Sequence, residues 1–155
     1  CLSEVTSMSL QAWLDEGRLK EQPTRGPEIR ALFAKFEERL QDAERDLSLD
    51  WRFAAAYDAA RLLCTIVLRA AGYRASPGPG QHELTIRALP LIMGTAQVAR
   101  TNYLDRCRRR RAAIIYEAQP RATREETAEL LEELQRFRQK IEPWLRQHHP
   151  GLLKG

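Results

Sequence analysis

A chain of 155 residues with 43% hydrophobic and 30% charged residues can build one domain with a sizeable core, and its apolar content excludes wholesale disorder. The net charge is +4, and three cysteines and three histidines lie scattered without metal-ligand spacing, which argues against a disulfide framework and a metal centre. No stretch approaches the ~20 apolar residues of a membrane span, and no basic-then-apolar leader opens the chain, so the expected setting is the cytoplasm, free of membrane.

Met8 reads as a start, with residues 1–8 as a leader ahead of a single domain over 9–149 and a flexible tail at 150–155. Ser9 is a good N-cap for a short first helix that stops at Gly17. A polar linker runs from Arg18 to Gly26, and Pro27 then occupies a first helical position. Ile29, Leu32, Phe33, Phe36, Leu40 and Leu47 form one apolar stripe on a long helix. The next helix starts near Ser48 or Asp50 and closes at Gly72. Its apolar positions, Phe53, Tyr57, Ala60, Cys64, Val67 and Ala71, are widened by Ala56, Ala59, Leu63 and Ile66, which predicts burial on most sides. One polar strip remains, Asp58, Arg61, Thr65 and Arg69, which must face water, a groove or a partner.

Residues 73–81 carry the turn chemistry of a loop around Ser76-Pro77-Gly78-Pro79-Gly80. His82 to Met93 reads as a short helix bent by Pro90. A fourth long helix is expected from about Thr95 to Ala118, ending at Gln119-Pro120. The last begins at Thr123 with Glu126 completing a capping box, and Leu130, Leu134, Phe137 and Ile141 give its inner stripe, with Pro143 disturbing its end. No strand-like alternation is present. The expected fold is all-α, an up-and-down bundle of four long helices plus short ones. No glycine-rich strand-to-helix turn exists, so no nucleotide cofactor fold and no cofactor is expected.

Charge concentrates on the fourth long helix. Residues 98–118 hold Arg100, Arg106, Arg108, Arg109, Arg110 and Arg111 against Asp105 and Glu117, which equals the net charge of the whole chain. Such a patch suits a polyanion, and a solvated face paired with local carboxylates accounts for it as well. On a helical wheel Tyr103, Leu104, Cys107, Ile114 and Ile115 share the inner arc. Arg108 to Arg110 fall outside it and read as solvated. Arg100 and Arg111 fall inside it, and an arginine among apolar neighbours needs a carboxylate, a carbonyl or an anion. A pair with Asp58 and a bound phosphate are equal candidates for Arg111. Tyr116, five residues on, either flanks the same groove or is a helix-end tyrosine with a wet hydroxyl.

Three segments carry a family resemblance. Ala55-Ala56-Tyr57-Asp58-Ala59-Ala60-Arg61 closing at Gly72-Tyr73, then Gly80-Gln81-His82-Glu83, then Arg108-Arg109-Arg110-Arg111-Ala112-Ala113-Ile114-Ile115-Tyr116 resemble, in that order, the core helix, the following loop and the signature helix of HEPN domains. The resemblance implies a HEPN-like helical bundle, often a homodimer, that cuts RNA without metal. In it Arg111 would bind the scissile phosphate and Tyr116 would stand at the histidine position, with Arg109 and Arg110 also within the loose spacing of the motif. Ala112 replaces the usual Asn and Tyr116 the usual His, and a phenol is a poor base at neutral pH, so the implied ribonuclease is weak or lost.

The function expected on this resemblance is RNA or nucleotide binding through Arg106, Arg108, Arg109, Arg110 and Arg111, with Asp58, Arg61 and His82 supporting the groove, in a toxin-antitoxin or defence component. The alternative is a non-catalytic dimeric module partnering a nucleotidyltransferase, for which Tyr116 would be a modification target. A generic helical protein with merely solvated arginines is the third reading.

Overall fold

The computed structural model describes residues 10–117 and 121–154. The expected leader, the Ser9 cap and the stop at Ala118 to Pro120 lie outside the described residues. The described residues are all-α apart from one small ribbon. Helix α1 is described over residues 10–15. It is followed by β1 (Leu19–Glu21), α2 (Gly26–Glu44), α3 (Leu49–Ala70), β2 (Tyr73–Ala75), α4 (Gln81–Arg87) and α5 (Leu89–Met93). A 3-10 turn (Thr95–Gln97) leads into α6 (Val98–Tyr116), and α7 (Arg124–His148) ends in a second 3-10 turn (Pro150–Leu153).

Helix α3 is the centre. Half of its 22 residues are buried, because small Ala59, Ala60 and Cys64 let neighbours approach on several sides. Phe36 of α2, Leu104 of α6 and Leu130, Leu134, Phe137 and Ile141 of α7 close around it in one core. The α7 stripe read from the sequence is the buried face of that helix. Its start is also as expected: Thr123 Oγ1 accepts from Glu126 N at 3.1 Å, and Glu126 returns the bond to Thr123 N at 2.7 Å. Ser48 caps α3 by accepting from Trp51 N at 3.3 Å.

Several expectations change. The linker after Gly17 and the loop after Gly72 each contain a three-residue strand. The two pair antiparallel with Leu19 opposite Ala75 and Glu21 opposite Tyr73. Strands this short show no alternation, and their partner is distant in sequence. Leu19 instead seeds a second small core with Leu68, Leu84 and Ala88. The His82–Met93 segment is two helices that divide at Ala88, ahead of Pro90. Residues 95–97 form the 3-10 turn rather than the start of α6. Pro143 lies inside α7, which continues to His148. Residues 150–153 form a turn whose Leu152 packs on the main core. There the backbone passes Gly26 so closely that an added Cβ would stand 3.1 Å from the Leu152 carbonyl oxygen. Leu47, read as the end of the α2 stripe, lies beyond that helix and is 49% exposed.

Both Cys64 and Cys107 are free and buried. Burial pushes the Cys64 thiol up to about 12 and the Cys107 thiol up to about 11, so both are inert packing residues. The two leucine and phenylalanine positions give a direct check of the core. Phe137→Ala is expected to remove about 3–5 kcal/mol of unfolding free energy. Leu47→Ala is expected to change it by less than about 0.5 kcal/mol. Urea denaturation followed by circular dichroism measures both.

Candidate functional site

The arginines of α6 separate by what they touch. Arg100 donates from Nε to Glu133 Oε1 at 2.6 Å and lies over the Phe137 ring at 4.7 Å, so it ties α6 to α7. Arg106 is exposed and covers the Tyr103 ring at 5.7 Å. Arg108 reaches Asp105 at 2.9 Å and Glu83 of α4 at 3.8 Å. Arg109 is exposed, with Asp105 at 3.6 Å. Arg110 bridges to the start of α7, with its Nη2 donating to Glu126 Oε1 at 2.9 Å and to the Arg121 carbonyl at 2.6 Å. That hydrogen bond holds the Glu126 carboxyl below its ordinary value. Much of the basic run is therefore matched by local carboxylates, the alternative already open in the sequence.

Arg111 has a different setting. Its Nε stands 3.5 Å from Asp58 Oδ1, and its guanidinium carbon lies 5.7 Å from the centre of the Tyr57 ring. The pairing with Asp58 is present, but Nε is buried and makes no hydrogen bond there, so the contact is an ion pair without donor alignment. Tyr57 Oη and Arg61 Nε are also buried without a hydrogen-bond partner. Arg69 Nε, farther along α3, is orphaned as well, but the orphans on Tyr57 and Arg111 share one place, and buried polar atoms normally have partners.

That place is a cleft of about 250 Å³ between α3, α4 and α6, lined by Tyr57, Gly78, Gly80, His82, Arg108 and Arg111. Gly80 takes φ +83°, a left-handed turn that starts α4 and brings His82 to the mouth. Partial burial lowers the His82 pKa. The charges of Arg61, Arg111 and Arg108 lower it further, and only Asp58 opposes them. The imidazole is therefore a neutral group in a positive field at neutral pH. Tyr57 is 1% exposed and forms the floor, with burial pushing its hydroxyl pKa well up, so it stays a protonated donor.

Among the residues singled out in the sequence, His82, Arg108 and Arg111 line this cleft; Asp58 pairs with Arg111 from the neighbouring cavity, and Arg61 acts on His82 only through its charge. Arg106, Arg109 and Arg110 do not line it. Tyr116 is 85% exposed at the end of α6 and lines neither this cleft nor the larger cavity beside it. The side chain that stands with Arg111 is His82, from another element. In the sequence Tyr57 marks only a core position, since its periodicity is that of a buried face and its orphaned hydroxyl leaves no sequence signal. No group of three or more His, Cys, Asp or Glu able to hold a metal occurs among the described residues, and none of their helices is long and apolar enough to cross a membrane.

The field on His82 yields a measurable pH dependence. Its titration midpoint, followed by ring proton resonances, is expected below the ordinary histidine value. Because the unfolded chain binds this proton more readily, stability falls as pH drops through the ordinary value towards the lowered one. Sulfate, whose charge is constant over that range, should raise the midpoint if it enters the cleft. A midpoint at or above the ordinary value in sulfate-free buffer would contradict the positive field. In comparisons with known protein families, curated proteins and solved structures, nothing matches this chain.

Proposed function

We propose that this protein binds RNA or a nucleotide by holding one phosphate in the cleft between α3, α4 and α6. The observation that carries the reading is the meeting of Arg108, Arg111 and neutral His82 over the orphaned Tyr57 hydroxyl. A phosphate has the charge for Arg111 and Arg108 and enough acceptor oxygens for the Tyr57 hydroxyl and the free guanidinium N–H groups. The glycines at positions 78 and 80 leave the rim of the cleft without side-chain bulk, where a ligand can approach the backbone. Arg106 and Arg109, exposed on the outer face of α6, add a sequence-independent attraction for a polyanion. The resemblance of the α3, α4 and α6 segments to HEPN domains points the same way.

The chemistry available to such a complex follows from the residue types. A neutral imidazole beside a phosphate held by arginine can accept a proton from a ribose hydroxyl, which needs no metal. His82 would fill that role better than Tyr116, because an imidazole titrates near neutrality and a phenol does not.

Fluorescence anisotropy with a short labelled RNA at low salt, in chelator, tests the reading. Binding should weaken steeply as salt rises, since phosphate contacts release counterions. Arg111→Ala and Arg108→Ala are expected to weaken it at least about tenfold, near 1.4 kcal/mol each. Arg109→Ala should cost less than about threefold, as a single exposed charge does. Equal affinities for the wild type and Arg111→Ala would exclude the cleft as the phosphate site.

A further inference from the structure

The phosphate cleft uses only one side of Arg111. On its other side lies a larger cavity of about 590 Å³, formed by the turn between α2 and α3, the first half of α3 and the end of α6. Its walls are mostly apolar, with Leu47, Ala55, Ile114 and Ile115 among them, and Trp51 stands at its edge. Trp51 is 70% exposed, beside Leu47 and Ile115 at 49% each. An indole left this open, next to other exposed apolar side chains, marks a contact surface. Its backbone is held by the Ser48 cap, so the ring projects from the rigid first turn of α3 rather than from a loop.

The two cavities are joined by one residue pair. Arg111 lines both, and its partner Asp58 lines the larger one. Trp51 and Asp58 are seven residues apart on α3, on nearly the same side of the helix and about 10.5 Å apart along its axis. Both therefore face the same groove. The polar groups of the larger cavity suit a base edge better than a second phosphate, because its two arginines, Arg39 and Arg111, are paired with Asp42 and Asp58, and Asp50 faces it as a third carboxylate. Asp50 gives one oxygen to Ala122 N at 2.8 Å and keeps another.

Resting on the phosphate-binding reading above, we propose that the groove between Trp51 and Arg111 is the base subsite of the same ligand. A nucleoside phosphate places its phosphate at Arg111 and His82 and stacks its base on the Trp51 indole. Asp58 and Asp50 accept from amino or ring N–H groups of the base. Trp51 then supplies affinity for a base, since every base has a π-face for the indole, and the carboxylates take the amino or ring N–H groups that its edge presents.

Isothermal titration of the full chain with adenosine monophosphate and, separately, with ribose 5-phosphate tests this. The wild type is expected to bind the nucleotide at least about tenfold more tightly than the sugar phosphate, the gain of one stacked base. Trp51→Ala should abolish that difference and leave ribose 5-phosphate binding unchanged, Trp51→Phe should keep part of it, and Arg111→Ala should weaken both ligands. Equal affinities for the two ligands in the wild type, or an undiminished difference in Trp51→Ala, would overturn the base subsite while leaving the phosphate site standing. No binding of either ligand would overturn the phosphate site and the subsite with it. A shift of Trp51 emission with protein concentration alone, absent from Trp51→Phe, would show a second copy covering the groove and would overturn the subsite.

Discussion

The burial of α3 constrains everything around it. A helix with half of its residues removed from water cannot stand at a surface, so α2, α6, α7 and α4 must cover it. Beyond its first turns, its charged and threonine positions, Asp58, Arg61, Thr65 and Arg69, lie along one line. Thr65 satisfies its hydroxyl on the Arg61 carbonyl at 3.0 Å, which the helix itself supplies. The charged members have no such local solution. They must open on a gap between covering helices, and the gap beside Asp58 and Arg61 is where α4 and α6 bring His82, Arg108 and Arg111.

Electrostatics then decides which arginine is special. Six arginines on α6 share a short list of carboxylates, and geometry assigns Glu133 to Arg100, Asp105 to Arg108 and Arg109, and Glu126 to Arg110. These pairs fasten α6 internally or to α7. Asp58 remains for Arg111, at a distance and angle that neutralise charge without a hydrogen bond. The Tyr57 hydroxyl and Arg61 Nε add two more unmet donors, while partial burial, joined by the charges of Arg61, Arg111 and Arg108, lowers the pKa of His82. A small cleft with unmet donors in a positive field is complementary to a phosphate and a poor host for a cation.

The helical class, the central role of α3, the α7 stripe and its capping box were legible in the residues, because each is a local pattern of spacing or side-chain type. The approach of Arg111 to Asp58 was one of two readings open in the sequence, beside a bound phosphate, since Arg111 falls on an apolar arc and Asp58 on the polar strip of α3. The ribbon between β1 and β2 was not, because three-residue strands have no period and pair across more than fifty intervening residues. Leu47 fitted a spacing yet falls past the end of its helix, where spacing no longer describes direction.

Residue spacing alone makes this protein helical with one helix buried, and the place of Arg111 among apolar residues calls for a carboxylate, a carbonyl or an anion. Those properties follow from hydrophobic periodicity and the cost of burying charge. The packed helices, and no local pattern, put His82 rather than Tyr116 in one cleft with Arg111, leave the Tyr57 hydroxyl without a partner and open Trp51 on the adjoining groove. Each depends on how α4 and the end of α6 dock on α3. Docking is set by packing between residues far apart in the chain, for which a single sequence carries no periodic signal.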